Sequence, residues 1–256
     1  MDKRHILILG GTAEARDLAG RLAARADLDV TLSLAGRTVE PAPQPVPVRS
    51  GGFGGPGGLA AWLSGKKIDL LVDATHPFAS RISANARIAA KDCAVSLLRL
   101  ERAGWQPVDG DRWTRVASVE KAIAALGDAP RRVFLAIGRQ EAFHADAAPQ
   151  HHYLVRSVDP VEPALAVPSA DYVLARGPFS TEDEIALLKA HRIEAVVSKN
   201  SGGRATYAKI EAARVLGIEV VMIERAAPSD TALAENVEDA LRMIDHLLSG
   251  ERKRGV

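Results

Sequence analysis

The alternation of short apolar runs with longer helical segments constrains the fold of this chain more than any other feature. Runs such as Ile6–Leu9 and Leu70–Asp73 are flanked by helical segments rather than tight turns, which is typical of parallel strands buried on both faces. This alternation predicts an α/β fold built from doubly wound parallel sheets. The predicted strands are Ile6–Leu9, Val30–Leu34, Leu70–Asp73, Val95–Leu100, Val133–Ile137, Tyr153–Arg156, Tyr172–Ala175, Ala195–Ser198 and Glu219–Ile223. The predicted helices are Ala13–Arg25, Gly58–Ser64, Ser80–Lys91, Val119–Leu126, Thr181–His191, Thr206–Leu216 and Asn236–Leu248.

The chain also resembles itself at an offset of roughly 125 residues, which indicates duplication. Ile68–Val72 is similar to Ile193–Val197, and Ala94–Arg102 is similar to Gly217–Arg225. We therefore predict two Rossmann-like domains, at residues 1–116 and 117–256. Because their last predicted strands, Val95–Leu100 and Glu219–Ile223, are near equivalents, this interpretation allows the two domains to exchange them.

Charge and cysteine content exclude several classes of protein. Lys and Arg total 33 against 32 Asp and Glu, so the net charge is close to zero and does not indicate binding to nucleic acid or to a membrane surface. The single cysteine, Cys93, forms no intramolecular disulfide, and no histidines stand at metal-ligand spacing. The first apolar run is too short for a signal peptide, and no stretch is long enough to span a membrane. These features predict a cytoplasmic protein without a metal site.

A glycine-rich turn after the first predicted strand is the strongest local motif. Glycines here let the backbone approach a pyrophosphate, and the following helix offers unpaired N–H groups at its start. A plain strand-to-helix turn capped by threonine explains the same residues without a ligand. The predicted cofactor contacts in this turn are Gly10, Gly11, Thr12, Ala13 and Glu14.

The end of the second predicted strand bears on the choice of dinucleotide. NAD sites place a carboxylate there, whereas NADP sites use arginine against the 2′-phosphate. Here Arg37 and Thr38 precede the first carboxylate, Glu40. These residues favour NADPH, although a solvated loop arginine is the alternative interpretation.

Two further segments of the first half are candidates for the cofactor site. The dense glycine loop at 51–55 suggests close approach of the backbone to a ligand, with a flexible linker as the alternative. A third strand then ends in a polar segment, where open α/β sheets bind ligands. We expect contacts from Gly51, Gly52, Phe53, Thr75 and His76. His76 is a candidate proton donor or a structural hydrogen-bonding residue, and the sequence assigns no catalytic residue.

Basic and polar residues follow several strands of an otherwise neutral chain. Surface salt bridges explain any single arginine, but a set gathered at strand ends favours a polyanionic ligand. The predicted substrate contacts are Arg99, Arg102, Arg139, Arg176, Ser198, Lys199, Asn200, Ser201, Gly202 and Arg204.

Several motifs together resemble the precorrin-6A reductase family of cobalamin biosynthesis. They are Gly-Gly-Thr-x-Glu-Ala at 10–15, Ala-Gly-Arg-Thr at 35–38, Gly-Gly-Phe-Gly-Gly at 51–55, Asp-Ala-Thr-His-Pro-Phe-Ala at 73–79, Leu-Glu-Arg-x-x-Trp at 100–105, Arg-Gly-Pro-Phe at 176–179 and Ser-Lys-Asn-Ser-Gly-Gly at 198–203. The resemblance implies two Rossmann-like domains, one for NADPH and one for a tetrapyrrole. It implies reduction of one macrocycle double bond, converting precorrin-6A to precorrin-6B without flavin or metal. It also suggests transient contact with neighbouring enzymes of the pathway.

Three alternatives stay open at this point. The cobalt-precorrin-6A reductase of the anaerobic pathway has similar motifs and acts on the cobalt-bearing substrate. A tetrapyrrole- or nucleotide-binding module without catalytic activity would need many of the same residues. Another NADP-linked reductase is disfavoured because no tyrosine is followed four residues later by lysine.

Overall fold

The computed structural model describes residues 3–36, 42–226 and 231–252 of the chain. It divides into two compact units. The first unit comprises Met1–Ala103 and Ala227–Val256, and the second comprises Gly104–Ala226. Within the described residues, no helix is both long enough and apolar enough to cross a membrane.

The first unit contains a six-stranded, entirely parallel sheet with helices on its faces. The strand order is β3-β2-β1-β4-β5-β12, which is the Rossmann order 3-2-1-4-5-6 if β12 counts as the sixth strand. Its strands are β1 (Arg4–Leu9), β2 (Leu28–Leu34), β3 (Val48–Ser50), β4 (Leu70–Asp73), β5 (Ser96–Leu100) and β12 (Ala232–Ala234). Its helices are α1 (Ala13–Ala23), α2 (Pro56–Gly65), α3 (Ser80–Asp92) and α7 (Val237–Arg252).

The second unit repeats this arrangement. Its six strands are also parallel, in the order β9-β8-β7-β10-β11-β6. The strands are β6 (Trp113–Val116), β7 (Arg132–Ala136), β8 (His152–Ser157), β9 (Ala170–Leu174), β10 (Ala195–Lys199) and β11 (Glu219–Ile223). The helices are α4 (Val119–Ala124), α5 (Thr181–Ala190) and α6 (Ala208–Leu216), with 3₁₀ turns at Ala142–Ala147 and Arg204–Thr206.

The two halves of the chain exchange the sixth strand of each sheet. β6 follows β5 along the chain but pairs with β11, and β12 follows β11 but pairs with β5. The predicted α/β class with two similar parallel-sheet domains is confirmed. The exchange that the sequence allowed for Val95–Leu100 and Glu219–Ile223 does not occur, because these strands, β5 and β11, pair with β4 and β10 of their own half. The exchanged strands are the next ones along the chain.

Two segments differ between the predicted and observed division of the chain: residues 104–116, which the structure assigns to the second unit, and the C-terminal segment. A boundary at 116/117 assigns α7 to the second domain, whereas the structure assigns 227–256 to the first unit. One face of α7 is apolar and packs into the core formed by β1, β2, β4, β5 and α1. Its buried contacts are Val237, Ala240, Ile244 and Leu248.

β1 shows why the sheet of the first unit needs helices on both faces. Ile6 and Ile8 belong to the core beneath α1 and α7, while Leu7 and Leu9 belong to a second core beneath α2 and α3. All four side chains are at most 2% exposed. Because both faces of such a strand are buried, polar residues do not alternate with apolar ones, and its sequence is a continuous apolar run.

Candidate functional site

The glycine turn, Gly10–Glu14, lies where the strand order of the first sheet reverses. It follows β1, which lies between β2 and β4, and open α/β sheets bind ligands in the crevice at this point. A Cβ atom on Gly10 would lie 2.6 Å from Cδ1 of Leu32, and Gly11 has a φ of +118°. Both positions therefore require glycine for the chain to turn closely over β2.

Thr12 joins this turn to the end of β4. Its hydroxyl oxygen accepts a hydrogen bond from Ala15 N (3.1 Å) and donates one to the carbonyl oxygen of Ala74 (2.8 Å). Thr12 is thus the N-cap of α1, as the plain-turn interpretation requires. Among the described residues, however, none accepts a hydrogen bond from the backbone N–H groups of residues 11–14. The turn therefore presents a set of donors suited to an anion.

Glu14 and Arg102 are paired with each other. Nη1 of Arg102 lies 2.6 Å from Oε2 of Glu14, and both side chains are largely buried. The sequence assigns Glu14 to the cofactor and Arg102 to the substrate. The structure brings the two together beside the glycine turn, and their contacts with ligands stay predictions.

The glycine loop, residues 51–55, has a defined conformation. Gly51, Gly54 and Gly55 have φ values of +104°, +80° and +96°, which disfavour any other residue. A Cβ atom on Gly58 would lie 1.8 Å from the carbonyl oxygen of Phe53. The loop is therefore packed directly onto the first turn of α2, which argues against a flexible linker.

Replacing Gly58 by Ala is expected to displace the glycine loop. The added methyl group overlaps a backbone carbonyl, so the loop must move, at a cost of about 1–3 kcal/mol in unfolding free energy. Urea denaturation measures this loss, and the predicted contact of the loop with NADPH gives a second readout, the affinity by titration calorimetry, which should fall in parallel. Gly57→Ala is the matched control, because nothing lies within 4 Å of a Cβ atom there. Equal behaviour of the two variants would contradict this packing argument.

A buried network connects the ends of β4 and β5. Oδ1 of Asp73 accepts hydrogen bonds from N (3.1 Å) and Oγ1 (2.7 Å) of Thr75, and its other oxygen is paired with Arg99. Arg99 also donates to Ser83 Oγ and Glu101. Burial alone would lower the pKa of Arg99, but the two carboxylates raise it above its ordinary value. Arg99 thus fixes the strand ends, and its predicted contact with substrate stays a prediction.

His76 follows this network in the segment before α3 and is itself exposed. Its Nδ1 accepts a hydrogen bond from the backbone N–H of Phe78 (3.2 Å). The neutral ring then carries its proton on Nε2, the nitrogen farther from the backbone. This geometry satisfies the structural interpretation and also leaves the ring competent to donate a proton.

Lys199 ends β10, the strand of the second unit equivalent to β4. Its side chain is 15% exposed and forms an ion pair with Glu141. Burial lowers the pKa of Lys199 to about 8, while the neighbouring carboxylate favours the charged form. Ser198, directly before it, is fully buried. Burial thus makes Lys199 easier to deprotonate than an exposed lysine, and its ion pair with Glu141 opposes this effect.

Asn200 holds the segment that precedes β6. Its Oδ1 accepts a hydrogen bond from Trp105 N (2.7 Å), and its Nδ2 donates to Trp105 O and to Oε2 of Glu224, both at 3.1 Å. The side chain is buried, so these contacts give Asn200 a structural role. Its predicted contact with substrate is a prediction still.

An open pocket of about 570 Å³ lies at the carboxyl ends of the strands of the second unit. Three aromatic residues, Trp105, Phe179 and Tyr207, contribute to its walls. Of the predicted substrate residues, Gly202 and Arg204 line it. The other lining residues are Gln106, Ser180, Thr181, Glu182, Ala208 and Glu211.

The remaining predicted substrate residues of the second unit lie outside this lining. Nη2 of Arg139 is 4.0 Å from Asp159, and Arg176 is exposed. Ser201 is buried, at 7% exposure, beside the pocket residue Gly202.

Buried charges lie directly behind the aromatic walls of the pocket. The Arg156 guanidinium stacks 3.8 Å from the Phe179 ring and is paired with Glu184. Nζ of Lys209 lies 4.9 Å from the centre of the Trp105 ring. Burial, together with the charge of Arg156, lowers the pKa of Lys209 to about 7, while Glu184 opposes this shift. The Glu184 carboxylate therefore pairs with Arg156 and also acts on the charge of Lys209 in the interior.

A family model described as precorrin-6x reductase CbiJ/CobK matches residues 5–245. The chain belongs to this family. The predicted family is thus confirmed, and with it the prediction that the chain is an oxidoreductase.

Relatives of this CbiJ/CobK chain match over nearly its whole length. A protein of Sinorhizobium sp named precorrin-6A reductase is 57% identical, covering 97% of this chain and 95% of the relative. One of Rhodobacter capsulatus with the same name is 46% identical, covering 98% and 99%. A Priestia megaterium protein named cobalt-precorrin-6A reductase is 29% identical, covering 86% and 90%. A solved structure titled CobK precorrin-6A reductase has a TM-score of 0.90 at 45% identity, covering 95% of this chain and 97% of the other.

Several residues at the two sites of this CbiJ/CobK chain were not among the sequence predictions. Arg49 contacts the glycine loop, and Arg156, Glu184 and Lys209 form the buried cluster. The sequence held a signal for both basic residues: Lys209 interrupts the apolar face of a helix, and Arg156 lies near the end of an apolar strand. Arg37 and Thr38, the predicted contacts of the 2′-phosphate, lie outside the described residues.

Proposed function

We propose that the protein is an NADPH-dependent precorrin-6A reductase that reduces one double bond of the metal-free tetrapyrrole to give precorrin-6B. The observation that carries the proposal is the 57% identity, over nearly the full length of both chains, with a relative named precorrin-6A reductase. Relatives named for the cobalt-bearing substrate are 27–29% identical. This contrast supports the metal-free substrate over the cobalt form.

The first unit has the features that a nicotinamide dinucleotide requires. Its glycine turn lies at the reversal point of the sheet, with unpaired N–H donors for a pyrophosphate among the described residues. We assign the pyrophosphate to Gly10–Glu14 and the rest of the cofactor to residues 51–53 and 75–76. Arg37 and Thr38 stay the proposed contacts of the 2′-phosphate. The reduced nicotinamide, when bound, supplies the hydride.

His76 is our candidate for the proton that the neighbouring carbon must receive. It stands at the carboxyl end of β4, directly after the crevice residues Ala74 and Thr75. The hydrogen bond from Phe78 N to Nδ1 directs the transferable proton to Nε2. A carboxyl group of the substrate and a water molecule are the alternative donors.

The second unit has the features that a conjugated polycarboxylate requires. Trp105, Phe179 and Tyr207 offer rings for stacking against a planar macrocycle, and Arg204 adds a cation at the same pocket. Lys199 is a further cation at the strand ends. Charge-assisted hydrogen bonds from such residues can replace the solvation that substrate carboxylates lose.

Direct assay with both substrates tests this proposal. The purified protein should oxidise NADPH, followed by nicotinamide absorbance, when precorrin-6A is added, and should turn over cobalt-precorrin-6A much more slowly. NADPH binding without turnover of either compound would favour a binding module. Faster turnover of the cobalt compound would place the protein in the anaerobic pathway.

We also propose a cytoplasmic location and transient contact with neighbouring enzymes. The half-buried thiol of Cys93 fits a reducing compartment. Co-purification with tagged enzymes of the same pathway would test the contact.

Replacing Lys199 by Met should raise the KM for precorrin-6A about 10-fold or more, the usual value of one charge-assisted hydrogen bond. The dissociation constant of NADPH should hardly change. In the wild type the KM should rise as the pH passes about 8, because the folded-state pKa of Lys199 is lowered to that value and the cation is lost above it. Lys189→Met, an exposed change in the same unit, is the control. An unchanged KM would remove Lys199 from the substrate site.

A further inference from the structure

Arg49 occupies a defined place beside the crevice of the first unit. It lies on β3, in register with Ser33 of β2, and the carbonyl oxygen of Ser33 accepts a hydrogen bond from Gly10 N (2.9 Å). Strands in a sheet are separated by about 4.8 Å, so Arg49 stands roughly 10 Å from the strand that carries the glycine turn. A nucleotide whose pyrophosphate lies on that turn extends its adenosine across β2 towards this residue.

The guanidinium of Arg49 is held rigidly by neutral groups. Nη1 donates to Ser33 Oγ (3.3 Å) and to the carbonyl oxygen of Gly51 (2.5 Å), and Nη2 donates to the carbonyl oxygen of Gly52 (2.7 Å). Its central carbon lies 3.7 Å from the centre of the Phe53 ring. These contacts fix the plane of the group before any ligand arrives.

The positive charge of Arg49 is not balanced within the described part of the chain. No carboxylate in residues 3–36, 42–226 or 231–252 forms an ion pair with it. Its three hydrogen bonds use three of the five N–H groups of a guanidinium, which leaves one on Nε and one on Nη2. That edge of the group has the geometry for two oxygens of one phosphate.

We propose that Arg49 binds the 2′-phosphate of NADPH and is a determinant of the preference for NADPH over NADH. The inference rests on the proposed use of NADPH and adds a residue to the predicted contacts from Arg37 and Thr38. The end of β2 supports it, since residues 33–36 are Ser-Leu-Ala-Gly and offer no carboxylate to a ribose hydroxyl. Because Arg49 also holds the glycine loop, phosphate binding and loop position are coupled.

Calorimetric titration with two nucleotide fragments isolates the 2′-phosphate. The ligands are adenosine 2′,5′-bisphosphate and 5′-AMP, which differ by that group alone. The variants are Arg49→Met, which keeps the apolar stem but removes the charge, and Arg49→Lys, which keeps the charge but not the planar fork. Arg87→Met, an exposed change on α3, is the matched control.

Arg49→Met should weaken the bisphosphate about 10- to 100-fold, as for a lost charge-assisted contact, and 5′-AMP less than about threefold. Arg49→Lys should be intermediate, and Arg87→Met should match the wild type. Equal weakening of both ligands by Arg49→Met would mean that Arg49 only supports the glycine loop, and would overturn the inference. An Arg49→Met variant that keeps the wild-type preference for the bisphosphate would also overturn it. If the wild-type protein binds the bisphosphate no more tightly than 5′-AMP, the proposed use of NADPH is contradicted, and so is the inference that rests on it. If Arg49→Met does not fold, the ratio of the two affinities in Arg49→Lys decides.

Discussion

Replacing Glu184 by Gln is expected to lower the free energy of unfolding of the second unit by about 3–5 kcal/mol, the usual cost of removing one partner of a buried ion pair. The side chains of Arg156 and Glu184 are 7% and 2% exposed, and they form two hydrogen bonds. The amide keeps the shape of the side chain but removes its charge. The Arg156 guanidinium would then stay buried without a carboxylate beside it.

Chemical denaturation at neutral pH measures this effect. Glu182→Gln is the matched control, since it removes an exposed carboxylate from the same first turn of α5 and costs only its interaction with the helix dipole, below about 1 kcal/mol. The double change Arg156→Met with Glu184→Leu should recover most of the loss, because it removes both charges together. If Glu184→Gln lowers the free energy of unfolding no more than Glu182→Gln does, the Arg156–Glu184 pair is solvated.

The same pair matters for the proposed substrate pocket. The Arg156 guanidinium lies between the rings of Phe134 and Phe179, at 4.7 and 3.8 Å. Phe179 is both a pocket wall and the last residue of the Arg-Gly-Pro-Phe motif. Glu184→Gln should therefore raise the KM for tetrapyrrole as well as lower stability, through the position of Phe179.

Apolar runs and helix periodicity were enough to predict most of the fold. The predicted limits of β4 and β11 agree with the structure at both ends, because each is a run buried on both faces between helices. The strands that were missed, β3, β6 and β12, lie at sheet edges and span three or four residues. Val48–Ser50 shows why, since it has no apolar run and is a strand only through its pairing with β2.

The exchange of the sixth strands between the two sheets could not be predicted from local sequence patterns, for the same physical reason. β6 and β12 are too short to specify a partner, and their choice of sheet depends on the packing of the helices that come after them in the chain. The residues after β12 form α7, whose apolar face, including Ala240 and Ile244, is buried in the first core. Helix packing rather than strand sequence therefore explains the assignment of the C-terminal segment.

Local motifs predicted the glycine turn and loop but not the charged residues that hold each site. Gly10 and Gly11 are recognisable because a turn needs them at fixed spacing. Arg49 and Lys209 depend on partners brought close by the fold, such as Ser33 for Arg49 and Trp105 for Lys209. Their roles depend on desolvation and on missing or shared counter-charges, which no short motif contains.

Lys209 should make the stability of the second unit depend on pH. Its side chain is almost fully buried on α6, and Nζ donates a hydrogen bond to the carbonyl oxygen of Thr206 (2.7 Å). Burial and the charge of Arg156 lower its pKa from 10.5 to about 7, while Glu184 raises it. Between these two values the unfolded chain binds a proton that the folded one does not. Lys209 therefore contributes stability that increases as the pH rises from about 7 to about 10.5.

Lys209→Met should accordingly raise the free energy of unfolding by roughly 2–4 kcal/mol at pH 7, less than the full cost of the pKa shift because the bond to Thr206 is lost. This gain in the free energy of unfolding over the wild type should shrink steadily as the pH rises towards 10.5. The reason is that the wild-type lysine is already neutral in the folded state and becomes increasingly neutral in the unfolded state. Urea denaturation of both proteins at several pH values measures this difference, and groups such as Tyr153, whose pKa burial raises to about 12, cancel between them.

Lys121→Met, at an exposed site on α4, should change stability by less than about 0.5 kcal/mol at every pH. A gain independent of pH would mean that the methionine acts by packing alone. A loss at pH 7 would mean that the lysine is charged in the fold and stabilised there by Glu184 and the Trp105 ring.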